Sequence, residues 1–213
     1  ISKASDSIFN SVHVKMESLS LELPAAGTFA SVIKLVKEQL LTECVEIDVT
    51  IKKGMAVADA ERDIVKLAVV ERHNATGNIG LGFVQGVGLK KGALASTIGH
   101  DSHNITVLGV DDEDMILAVQ TIVEHGGGLA VVAEGEVKAS LRLGVAGLMS
   151  LDNAEKVAST FTDLLLAAKK LGVQVEDPFM CMSFLALPVI PHLKMTDLGL
   201  VDVEKFGHVG LWV

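Results

Sequence analysis

The chain has 213 residues, 49% of them hydrophobic and 21% charged, with a formal net charge of −9. That balance excludes an intrinsically disordered chain, which needs low hydrophobicity and high net charge, and the acidity argues against nucleic acid or an anionic membrane as a partner. No apolar run reaches the roughly 18 residues of a membrane span, and the N-terminus has no signal-peptide pattern. Cys44 and Cys181, with no CxxC, read as free thiols in a reducing, cytoplasmic setting.

In chain order, "SVHVKMESLSLELP" (11–24) alternates and stops at a proline, which predicts a strand. With residues 1–10 it forms an N-terminal segment, 1–24, placed at the edge of a preceding domain; the remaining 25–213 are expected to be one domain. "FASVIKLVKEQLLTECVEIDVTIKKG" (29–54) reads as strand, turn and strand. "DIVKLAVVERH" (63–73) is β-branched and apolar enough for a buried strand. The stretch 74–104 holds seven glycines in 31 residues. Their spacing gives neither a dinucleotide fingerprint nor a P-loop, so close backbone packing is the expected reason for them. "GALASTIG" and "NITVLGV" are strands within and after it.

"DDEDMILAVQTIVEHGGG" is the clearest helix, about 112–125. Acidic residues crowd its start and glycines stop it; His125, in its last turn, is placed to favour the negative end of the dipole. "GLAVVAEGEVKASLRL" (128–143) is a hairpin. A second helix, about 153–171, carries Val157, Phe161, Leu164, Leu165 and Ala168 on one face. "FMCMSFLALPVIP" (179–191) is a core segment or an apolar docking surface. The fold class is α+β or mixed α/β, largely sheet with two main helices packed on it.

Two polar stretches stand beside the apolar runs. "HDSHN" places His100, Asp101, His103 and Asn104 in five residues. Imidazole and carboxylate suit a divalent metal, but a strand follows, in which positions i and i+3 point to opposite faces. His100, Asp101 and His103 therefore make a poor metal set, and no residue here is a firm catalytic group. The plain reading is an Asp101 or Ser102 turn at a strand start. "ERHN" places Arg72, His73 and Asn74 at the end of an apolar strand, where an Arg72–carboxylate pair is as reasonable as a site role. If both stretches lie at the same end of adjacent strands, they form one patch, which favours a shared site or interface.

Several stretches carry a resemblance to a family. "NSVHV", the run from "DIVKLAVVERHNATGNIG" through "STIGHDSHN", "GGGLAVV", "GLMS" and "DPFMCMSFLALPVIPHLKMTDLGL", in that order, resemble the C-terminal part of bacterial-type adenine deaminases of the amidohydrolase superfamily. The resemblance covers nearly the whole chain, most weakly residues 1–60. It implies a parent reaction of purine salvage: adenine and water give hypoxanthine and ammonia, by attack of a metal-activated hydroxide at C6. The metal it implies is manganese, iron or zinc, held in a barrel that precedes this region and begins its ligand set with His-x-His. None of the seven histidines here makes a His-x-His pair, and a barrel takes about 250 residues. The chain alone is therefore expected to be inactive. Its expected partners are the barrel domain, adenine through the complete enzyme, and further copies of itself in a homo-oligomer. The candidates for adenine contact, or for positioning barrel residues, are Arg72, His73, Asn74, His100, Asp101, His103 and Asn104. The alternative is a stand-alone purine-binding or interaction module without activity.

Overall fold

The structure is a computed structural model that describes residues 6–9 and 11–213. Its centre is an eight-stranded sheet. The strands are β1 (Phe29–Leu35), β2 (Thr42–Asp48), β5 (Ile64–Val70), β6 (Ile79–Gln85), β7 (Ala93–Ser96), β8 (Ile105–Gly109), β9 (Gly128–Ala133) and β10 (Glu136–Arg142). Their order across the sheet is β10-β9-β7-β8-β5-β6-β1-β2. All neighbours are antiparallel except β1 and β6. A small hairpin, β3 (Thr50–Lys52) and β4 (Met55–Val57), stands apart, as does a C-terminal sheet of β11 (Leu193–Thr196), β12 (Gly199–Asp202) and β13 (Gly207–His208).

Both faces of the central strands are covered, so those strands are apolar on both sides. In β5 every residue is buried. Val65, Leu67 and Val69 point into one core; Ala68 and Val70 point into the other. The second core is closed by α1 (Asp112–His125) through Met115, Ala118, Val119 and Ile122. The first is closed by α2 (Ala154–Lys170), α3 (Pro178–Leu185) and the C-terminal sheet, through Leu164, Phe179, Met182 and Met195. Lys66 interrupts the α1-facing side of β5. It stays buried because Asp112 pairs with it at 2.6 Å and the Leu21 carbonyl accepts from it at 2.9 Å.

The two long helices lie where the periodicity places them, and their caps explain the ends. Asp111 accepts the Glu113 and Asp114 N–H groups, and Gly126 closes α1 with a left-handed φ of 72°. Asn153 caps α2. The close-packing reading of the glycines holds at Gly80, where a Cβ would collide with the Thr196 carbonyl oxygen of the C-terminal sheet.

Two expectations need correction, and one helix adds to the two main ones. Residues 11–24 form no strand: they run as irregular chain with one short turn of 310 helix, Met16–Ser18. Buried cations elsewhere in the chain recruit their carbonyls, and Val12 and Leu21 enter the α1-side core. The part of that segment in residues 1–5 and 10 lies outside the described residues. A third helix, α3, occupies the Met-rich run; Phe179, Met182 and Leu185 are buried, whereas Met180 and Val189 are exposed. Finally, His125 is not a charged group serving the α1 dipole. Burial first, and Arg142 second, pull it below the ordinary histidine value, and its Nδ1 is buried without a hydrogen-bond partner.

Candidate functional site

The β5–β8 ladder ends at the pair Val70–Ile105, and the β5–β6 ladder at Val70–Ile79. Glu71 to Asn78 and His100 to Asn104 therefore leave the sheet at the same end, on adjacent strands. The two polar stretches form one patch, and Arg72 is its centre.

Arg72 is 1% exposed. Its Nε donates to the His103 carbonyl. Its Nη1 donates to the Ser11 carbonyl at 2.9 Å and the Ser11 hydroxyl at 3.2 Å, and its Nη2 donates to the Ala146 carbonyl at 3.1 Å. The rigid guanidinium fork thus joins the N-terminal segment, the β7–β8 loop and the loop after β10. No carboxylate pairs with it among the described residues, so the expected Arg72–carboxylate pair does not form. At Gly147, with φ of 71°, a Cβ would stand 2.6 Å from Nη1, so the residue beside the fork has to be small.

Glu71, also buried, serves the backbone instead. Its carboxylate accepts the N–H of His73, of Asn74 at 2.8 Å and of Thr76 at 2.9 Å, and the Thr76 hydroxyl at 3.0 Å. Burial alone would raise this carboxyl. The donors outweigh it and hold Glu71 below its ordinary value. The loop that presents His73 and Asn74 is thereby wound around a fixed anion.

The second stretch is tied just as closely. Asn104 is buried; its Oδ1 accepts the Arg72 N–H at 3.4 Å and its Nδ2 donates to Asp197 at 3.1 Å. Asp197, in the β11–β12 turn, also accepts from Asn78 at 3.3 Å. The His103 Nδ1 accepts the Gly99 N–H at 3.0 Å, and the His103 backbone stands at φ 53°. His73 Nε2 donates to the Ser102 carbonyl at 2.6 Å. The His100 ring lies on Phe184 of α3, with centroids 4.2 Å apart. The side chains of His73, Asn74, His100 and Asp101 are exposed, and His103 is half-buried. The turn is thus held by His103 and Asn104, not by Asp101 or Ser102 as expected.

Burial, then the charge of Arg72, pull His103 below the ordinary histidine value against the opposing Asp101. Among the described residues no three His, Cys, Asp or Glu side chains gather into a group able to hold a metal ion. The set of His100, Asp101 and His103 is not assembled: one ring stacks on Phe184 and the other turns its Nδ1 to Gly99. What the patch offers is hydrogen bonding by imidazole rings over a buried cation, with an aromatic surface beside them.

Sequence reasoning singled out the seven polar residues of the patch and passed over the groups that hold them: Ser11, Asn78, Ala146, Asp197 and Phe184. These come from five separate places in the chain. Only the same-end placement of β5 and β8 carried a signal, and of the five it brings in Asn78 alone. Neither cysteine belongs to the patch, and burial raises both thiols.

Comparison with known proteins follows the same outline. Residues 39–207 match the family described as adenine deaminase C-terminal domain. The chain is 51% identical over 203 residues to the adenine deaminase of Desulfatibacillum aliphaticivorans, covering 95% of this chain and 36% of that protein. It is 48% identical over 194 residues to the adenine deaminase of Methanothrix thermoacetophila, covering 91% and 34%. It is 50% identical over 190 residues to adenine deaminase 2 of Carboxydothermus hydrogenoformans, covering 89% and 33%. The chain therefore spans about a third of the length of the curated relatives it matches.

Proposed function

The chain belongs to the adenine deaminase C-terminal domain family, and from that premise we propose that it serves as the C-terminal domain of an adenine deaminase. It acts as a structural and assembly domain whose Glu71–Asn74 and His100–Asn104 patch lends side chains to the site where adenine is hydrolysed to hypoxanthine and ammonia. The observation that carries this reading is the convergence of the two polar stretches on one end of the sheet, beside the point where Arg72 grips Ser11. The Ile8 carbonyl also accepts the Ala146 N–H, so a catalytic domain preceding this segment would adjoin the same end of the sheet. Loops at strand ends, held by a rigid scaffold, are the usual place for such contacts.

The described residues do not fit a divalent metal. The metal that the parent reaction uses to activate water is assigned to the two-thirds of the relatives that this chain does not span. The domain's own part is to bind and orient: His73 and His100 are exposed for contact, while Glu71 and Arg72 fix the loops behind them. No helix among the described residues is long and apolar enough to cross a membrane. The proposed setting is the cytoplasm, in a homo-oligomer.

Ammonia release from adenine tests the reading. The 213-residue chain is expected to give none, and the full-length enzyme containing it is expected to be active. In that enzyme, His73→Ala and His100→Ala are expected to alter adenine turnover with metal content unchanged. Turnover by the chain alone, or wild-type kinetics in both variants, would overturn it.

A further inference from the structure

Backbone groups fix the ring proton of both His73 and His103 on Nε2. A carbonyl oxygen can only accept, so His73 carries its proton on Nε2, which donates to Ser102 at 2.6 Å. A backbone N–H can only donate, so His103 presents a lone pair at Nδ1 to Gly99 at 3.0 Å. The proton of the neutral His103 ring is therefore on Nε2. That Nε2 makes no hydrogen bond to a described residue, and it is not a buried orphan; among the described residues the one such atom is His125 Nδ1. It is an N–H donor, open on its outer side and held in place on its inner side.

Two more features hold this state. The His103 backbone sits in the left-handed region, which is uncommon outside glycine but which asparagine, aspartate and histidine adopt more often than other residues, and its carbonyl is bound by the buried Arg72. The titratable and charged groups facing the ring are Arg72, His73 and His100 on one side of the balance and Asp101 on the other, and with burial, the largest of these influences, the balance favours the uncharged imidazole.

We propose that His103 offers its Nε2–H as a fixed, uncharged hydrogen-bond donor to an acceptor nitrogen of the adenine ring. The inference rests on the reading that this patch adjoins the adenine site. A neutral donor suits a neutral heterocycle: it orients the base without burying a second charge beside Arg72. His103 then determines specificity and binds substrate, while Gly99 and Arg72 position it.

Two substitutions in the full-length enzyme separate this role from a structural one. In His103→Asn, Oδ1 takes the place of Nδ1, accepts the Gly99 N–H and tolerates the positive φ, but nothing stands where Nε2 was. In His103→Gln, the amide nitrogen keeps a donor at the Nε2 place. The Asn variant is expected to raise KM for adenine about three- to tenfold, the loss of one neutral hydrogen bond, with kcat little changed. The Gln variant is expected to recover most of it, and thermal unfolding confirms that both fold. Wild-type KM in the Asn variant, or no recovery in the Gln variant, overturns the proposal. If His73→Ala and His100→Ala alter turnover while His103→Asn does not, the donor role alone falls; if all three are silent, the reading of the patch falls with it. A variant that fails to fold is replaced by a measurement on the unmodified 213-residue chain. Nitrogen-15 spectra of its histidines at neutral pH are expected to show His103 protonated on Nε2 only, and an Nδ1–H ring or an imidazolium overturns the proposal.

Discussion

Arg72 and Lys194 are both buried cations, 1% and 0% exposed, and their surroundings treat them differently. Arg72, at the end of β5, has four hydrogen bonds to three residues from distant parts of the chain. Lys194, in β11, has one acceptor, the Leu40 carbonyl at 3.2 Å, and its neighbour Cys181 is pushed up to about 11 by burial and is no counter-ion at neutral pH. Burial pulls Lys194 down to about 8. A fork has several donors at set angles and can collect loops around it, whereas a single ammonium cannot. A buried charge with a full set of partners is costly to remove; one with a single partner is costly to keep.

The largest effect expected from breaking this contrast is at Arg72. Arg72→Met leaves the His103, Ser11 and Ala146 carbonyls without their donor, and the loss is expected to be about 3–5 kcal/mol. Arg72→Lys is expected to recover little, because one ammonium cannot reach three carbonyls at the fork's angles. Urea midpoints at constant m-value measure both, and a loss below about 1 kcal/mol would remove Arg72 from the centre of the patch. Lys194→Met is expected to act in the opposite direction. Between about 8 and 10.5 the unfolded chain holds a proton that the folded chain has released, so stability rises with pH across that window. The penalty is full below pH 8, at roughly 3 kcal/mol if the whole shift counts. The Met variant should be more stable than wild type at pH 7 and lose that advantage by about pH 10.5; destabilisation at pH 7 would mean that the Leu40 contact outweighs desolvation. The smallest effect concerns the thiols. Cys44 is exposed and Cys181 half-buried, so a thiol reagent should modify Cys44 faster than Cys181 in the native chain. Removing the Lys194 charge, which lowers the Cys181 value, should slow Cys181 further, and equal native rates for the two cysteines would contradict the packing of α3.

Elements whose signals are local were legible. The α1 and α2 stripes, the acidic cap of α1 and the Glu134-Gly135 hairpin each contain their own instructions within a dozen residues. Residues 11–24 misled because their alternation is genuine, yet two distant cations, Arg72 and Lys66, take the Ser11 and Leu21 carbonyls. The helix α3 was hidden because it is apolar all round and shows no stripe. Its signal was the start: Asp177 caps it and Pro178 occupies the first turn. At the patch, the same-end placement of β5 and β8 was within reach of the strand pattern. The partners of that patch were not, since Asp197 and Ala146 meet it only after three layers have packed.

The family match begins at residue 39, but the free energy of this unit does not. Dissecting the chain at that resemblance boundary would remove β1, which stands between β6 and β2, and with it the acceptors that Ser11 and Leu21 supply to Arg72 and Lys66. A fragment of 39–207 would carry the whole matched family domain and two interior cations stripped of part of their coordination. Where that family match begins and where the chain can be cut are separate places in this molecule, and the 28 residues 11–38 lie between them.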